Sequence, residues 1–202
     1  MENYSNRPTG QYFFKEQRTH PDGEGGTVFD SYDSYLEGDA QIVRRVADGS
    51  NTYYFYHKLS AAVNNLMDGD TLNICRDITL AGPSTVKIDR VGITLQAADN
   101  QRLMPQGKSY YSIAREGAST NEAPIIEILN VPNGKSVTIQ NLELGTKNTE
   151  KTVTGIQVDD ASKVVLKGTV KTYLPGLTGL PSKMTLVKLQ EKTTLDMSAA
   201  TI

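Results

Sequence analysis

An all-β chain built as a stack of short strands is what this sequence predicts, and two observations predict it. From residue 71 on, a three-residue unit with apolar outer positions recurs. Its copies are Leu72-Asn73-Ile74, Ile78-Thr79-Leu80, Val86-Lys87-Ile88, Ile93-Thr94-Leu95, Ile126-Glu127-Ile128 and Val137-Thr138-Ile139. Leu142-Glu143-Leu144, Ile156-Gln157-Val158, Val164-Val165-Leu166 and Val187-Lys188-Leu189 continue it, and Thr193-Thr194-Leu195 is a weaker last copy. Alternation at period two sets the outer residues against a core and the central one in water. The units also recur in pairs: Ile156 follows Ile126 by 30 residues and Val187 follows Ile156 by 31. Short strands at that spacing, with no helix between them, predict a solenoid whose coils must stack to bury their apolar edges. An antiparallel β-sandwich is the alternative, because Pro132-Asn133-Gly134 also suits a hairpin.

Residues 1–40 read as an irregular arm or linker. They are rich in Gly, Asp, Ser and Tyr, and their apolar residues follow neither a helical nor a strand period. The acidic stretch from Asp22 to Asp39 misses the spacing of a calcium loop, so no metal site is expected there. Residues 41–202 form the β domain. It opens with a hairpin, Gln41–Val46 and Thr52–Tyr56 around Asp48-Gly49, two β-forming runs flanking a turn. A helix follows over residues 59–67, where Leu59, Ala62, Val63 and Leu66 share one face and Gly69 is the stop. So short a helix persists only by docking that face.

Residues 52–95 carry a resemblance to a known family. The order is a short helix of the form Leu59-Ser60-Ala61-Ala62-Val63, then Asp68-Gly69-Asp70-Thr71, a first strand, and Asp77-Ile78-Thr79-Leu80. It resembles the opening segment of right-handed parallel β-helix proteins of the pectin-lyase-like type. Ile125–Ile128 through Val137–Leu144 is similar to a later coil of such proteins. The resemblance spans about residues 50–202 and implies a right-handed β-helix whose open end the short helix caps. It implies little about activity, because that fold carries lyases, hydrolases, adhesins and tail spikes. The last residues still look like coil sequence, so the chain is expected to be the front of a longer protein or to have its end covered by another subunit.

Composition narrows the function classes. The 202 residues hold 21 Lys and Arg against 23 Asp and Glu, a net charge of −2 that offers no global field for nucleic acid. With 38% hydrophobic and 22% charged residues the chain is neither disordered nor a coiled coil. No apolar run approaches the ~20 residues of a membrane span. Cys75 is alone, which excludes an intramolecular disulfide and a cysteine-rich metal site. The expected location is extracellular or at the cell surface, with any signal peptide removed or outside this chain; an intracellular protein is the alternative.

No catalytic residue, metal site or cofactor is predicted. The outward strand residues form no acidic ladder of the kind that calcium-assisted polysaccharide cleavage needs. Asp159-Asp160 and Asp89-Arg90 fall where turns begin, a role Asp fills by accepting backbone N–H bonds. Neither His20 nor His57 precedes a glycine, so the signatures of the fold's hydrolases are not assembled. The segment 101–121 interrupts the repeat and is the best place for a binding site, with Arg102, Lys108, Tyr110, Tyr111 and Arg115 as candidate contacts for an acidic glycan or a protein, and a structural loop that covers a coil edge as the favoured alternative. The expected function is therefore a non-catalytic surface module that adheres to glycan or to a host or cell-surface protein. A polysaccharide lyase or glycoside hydrolase is the alternative, and a trimeric tail-spike-like subunit a third; the oligomeric state stays open.

Overall fold

The computed structural model describes residues 14–21, 27–35, 38–98, 110–115, 123–146, 153–160, 162–173 and 184–201. Among these the protein is all-β, with a single five-residue helix. Strands β1 (Phe14–Pro21) and β2 (Thr27–Tyr35) pair antiparallel, from Phe14 opposite Tyr35 to Pro21 opposite Thr27. Irregular structure was the expectation for this arm. The register shifts between Arg18 and Thr19, and a bulge of that kind breaks the period-two signal that marks a strand in sequence.

The expected hairpin comes next. Strands β3 (Ala40–Arg45) and β4 (Asn51–Tyr56) pair antiparallel. Gly49 turns the chain at φ 85°, and the Asp48 carboxylate accepts the Ser50 N–H at 2.8 Å. Helix α1 covers Leu59–Val63, with Leu59 and Ala62 buried, and so ends four residues short of the expected end at Met67. Beyond it the Asp70 carboxylate accepts the Met67 N–H at 2.8 Å, and that local bond folds the chain into a turn instead of a further helical turn.

The remaining strands are β5 (Thr71–Ile74), β6 (Ile78–Leu80), β7 (Val86–Asp89), β8 (Thr94–Ala97), β9 (Ser112–Arg115) and β10 (Ile126–Leu129). They continue as β11 (Val137–Thr146), β12 (Val153–Val158), β13 (Lys163–Tyr173), β14 (Met184–Leu189) and β15 (Thr194–Thr201). One ladder runs β5, β8, β11, β13, β15, all parallel. A second runs β7, β10, β12, β14, also parallel. A third joins β6 to β9 and β9 to the second half of β11. The nine-stranded sheet is mixed, because β3 lies antiparallel to β5 and β4 antiparallel to β3. Strands β10 and β11 belong to different ladders, so Pro132-Asn133-Gly134 is not a hairpin turn.

The sequence period is the sheet register. Val86, Ile126, Ile156 and Val187 stand opposite one another in turn, so the 30- and 31-residue spacings are single steps across the second ladder. In the first ladder Leu72, Leu95, Ile139 and Leu166 form the matching column, all fully buried. Each such side chain contributes roughly 1.5–3 kcal/mol by leaving water. Strand β11 passes from the first ladder to the third at Asn141, which takes φ 50°, and β13 bends alongside at Gly168, φ 56°. The Asn141 Oδ1 accepts the Thr169 N–H at 3.1 Å, and a Cβ at Gly168 would overlap that oxygen. At the far edge β14 and β15 each have one neighbour among the described residues, and Leu189 and Met197 are exposed.

Candidate binding face

The alternation that buries one column of the first ladder leaves the next one polar, with Gln41 buried and Asn73, Gln96 and Gln140 half-buried. Gln41, Asn73, Gln96 and Gln140 lie opposite one another on β3, β5, β8 and β11. Their amides bond along the row: Asn73 Nδ2 donates to Gln41 Oε1 at 2.8 Å, Gln96 Nε2 to Asn73 Oδ1 at 2.9 Å, and Gln140 Nε2 to Gln96 Oε1. Beside it runs a second row, Thr71, Thr94 and Thr138. Each of the three bonds uses one of the two donors on the NH2 of Asn73, Gln96 or Gln140, so these half-buried amides each retain a second donor. Parallel strands set the repeat at about 4.8 Å. The face is a polar, regularly spaced array held by the backbone and by its own side chains.

The segment expected to bind is built differently from the expectation. Arg102 and Lys108 lie outside the described residues. Tyr110 is half-buried and Tyr111 is buried. Arg115 is fully buried, because β9 turns it toward the 81–85 turn. Its Nη2 donates to the Ser84 and Pro124 carbonyls, both at 2.8 Å, and its Nη1 to the Gly82 carbonyl. Arg115 and Tyr111 are therefore buried framework side chains. The Nε of Arg115 is buried without a partner, and burial pulls its proton affinity below the ordinary guanidinium range.

The acidic residues are likewise committed to the fold. Asp70, 1% exposed, accepts from Arg44 Nε at 2.8 Å and Nη2 at 2.7 Å. Arg44 stands above its ordinary proton affinity, first through that hydrogen bond. Asp68 accepts the Gly92 N–H at 2.7 Å, which ties the Asp68-Gly69-Asp70 stretch to the next strand. Asp77 accepts both the N–H and the hydroxyl of Ser112, at 2.8 and 2.9 Å. Glu143, 2% exposed, pairs with Lys171 Nζ at 3.1 Å. Asp89 accepts from Asn130 Nδ2 at 2.9 Å, and Asp160 occupies a left-handed turn position at φ 54°. Among the described residues no three His, Cys, Asp or Glu side chains cluster as a metal site. Burial pushes the Cys75 thiol up to about 12, so it is not a nucleophile near neutral pH.

No family model, curated protein or solved structure matches this chain. Among the described residues no helix is long and apolar enough to cross a membrane. Of the amide row only Asn73 is the polar centre of a repeated unit; Gln96 and Gln140 directly follow units, and Gln41 lies in the hairpin. Nothing local marks Gln41, Asn73, Gln96 and Gln140 as neighbours; the register does.

Proposed function

We propose that this protein is a right-handed parallel β-helix module of a secreted or cell-surface protein that binds glycan or protein without cleaving it. The solenoid reading is supported by the chain's alternation between parallel ladders, with a strand returning to the second ladder after 30 and then 31 residues. Its handedness, its pectin-lyase-like kinship and its extracellular location rest on the resemblance of residues 52–95. The observation that carries the binding role is the Gln41–Asn73–Gln96–Gln140 row beside the threonines, a half-buried polar row whose amides retain unused hydrogen-bonding capacity. A ligand with hydroxyls or amides along its length would be held by several weak contacts at once.

The test is a panel of acidic and neutral polysaccharides and surface-protein extracts, screened by immobilised-ligand binding with wild type and with the double variant Gln96→Lys, Gln140→Lys. Binding by wild type that falls at least about tenfold in the variant supports the proposal. Release of new reducing ends from any polysaccharide, with or without calcium, overturns the non-catalytic part of it. Binding that the variant leaves unchanged overturns the assignment of the face.

A further inference from the structure

A cavity lies apart from the amide row. It is a groove of about 500 Å³ between helix α1 and the segment 78–87, within the ~300–1,000 Å³ range of small-molecule sites. Its floor is apolar: Leu59, Ile78 and Val86 are buried, and Val63 and Leu80 pack against the core. Its rim is polar, with Lys58, Ser60, Thr79 and Lys87.

The wall formed by residues 82–86 is fixed before any ligand arrives. Arg115 clamps the Gly82 and Ser84 carbonyls from behind, the Thr85 hydroxyl donates to the Pro124 carbonyl at 2.8 Å, and the Val86 N–H donates to the Ile125 carbonyl at 2.9 Å. A preformed wall removes part of the ordering cost of binding.

The charges around the groove do not cancel. Asp39 is occupied: one oxygen accepts the Leu59 N–H at 3.1 Å and the other lies 3.7 Å from Arg76 Nε. Lys87 lies 3.7 Å from Glu127. Lys58, by contrast, has no side-chain partner among the described residues. Among the described residues Arg115 bonds carbonyl dipoles alone, with no carboxylate against its charge. Lys58 is therefore the unpaired cation on the rim of an apolar-floored groove, Arg115 stands behind its wall, and a low-dielectric wall strengthens the field inside it.

We propose that this groove binds a small amphipathic monoanion, a carboxylate or sulfonate with an apolar body. Lys58 takes the anionic group; Leu59, Val63 and Leu80 take the body. The probe is 8-anilinonaphthalene-1-sulfonate, titrated by fluorescence and displaced by hexanoate or by its neutral counterpart hexanamide. One saturable site is expected, weakened at least about tenfold by Lys58→Glu, with hexanoate displacing the dye at concentrations at least about tenfold below hexanamide. The exposed strand edge is the competing dye site, so a Leu189→Lys, Met197→Lys variant is titrated in parallel. It is expected to retain the site. Loss of dye binding in that variant with no effect of Lys58→Glu overturns the proposal, as do equal displacement by hexanamide and the absence of a saturable site. Lys58 is exposed and contributes only backbone bonds to α1, so its substitution leaves the fold intact as a readout.

Discussion

Replacing Asp70 by Asn removes one negative charge and keeps the shape of the side chain, in a place where the charge accepts three hydrogen bonds. Two come from the fork of Arg44, at 2.8 and 2.7 Å, and one from the Met67 N–H at 2.8 Å. The asparagine has one oxygen for those donors and turns its own NH2 toward at least one of them. Charge-assisted hydrogen bonds are worth roughly 1.5–3 kcal/mol each, and breaking a buried ion pair from one side costs roughly 3–5 kcal/mol. Arg44 remains 21% exposed and also donates to the Asn65 carbonyl at 2.9 Å, so water and that carbonyl recover part of the loss. The expected destabilisation is about 2–4 kcal/mol, or roughly 4–16 °C in Tm for a chain of this size. Urea unfolding of wild type, Asp70→Asn, Arg44→Met and the double variant measures it. The double variant is expected to lose less than the sum of the singles by about 1.5–3 kcal/mol, since the second substitution removes a charge already stranded. Amide exchange at Met67 is expected to quicken in Asp70→Asn, because its acceptor is weakened. A loss under about 1 kcal/mol with additive singles would refute the claim that this pair anchors the hairpin to the first parallel strand.

Three further outcomes are expected. Gly155→Ala places a methyl 2.8 Å from the Leu186 carbonyl, backbone that cannot swing away, and should cost about 1–3 kcal/mol in denaturant unfolding; a neutral substitution would show that β12 and β14 can separate freely. Cys75 has its thiol raised by burial to about 12 when folded, against roughly 8.5 unfolded. Because the unfolded thiol releases its proton first, the stabilisation is complete below about pH 8.5 and declines toward about pH 12, by up to ~1.4 kcal/mol per pH unit. Wild type should therefore lose stability relative to Cys75→Ala between pH 8.5 and 9.5 by about 1 kcal/mol, and parallel pH profiles for the two would contradict the burial of the thiol. Gly168→Ala requires a side chain at φ 56° on top of Asn141 Oδ1. It should destabilise by about 1–3 kcal/mol, and Asn141→Gly should recover part of that loss; thermal melts that show no recovery would argue against the steric explanation.

The strands were legible in the sequence because a strand's alternation is local: Leu72-Asn73-Ile74 or Ile126-Glu127-Ile128 displays its buried face without reference to any other residue. The spacing from Ile126 to Ile156 to Val187 was legible too, since a repeated pass through one ladder leaves its length in the chain. The hairpin around Gly49 and the start of α1 belong to the same class of local signal. Tertiary structure decided the rest. The end of α1 at Val63 depends on where the Asp70 carboxylate finds Met67 and Arg44. The burial of Arg115 depends on carbonyls contributed from residues 82, 84 and 124, so an arginine that reads as a surface contact becomes a clamp. The amide row and the groove beside α1 are likewise made of residues far apart in the chain, joined by register and docking. A sequence records the period of its side chains, but which polar groups meet is set by the strands and turns that pack around them.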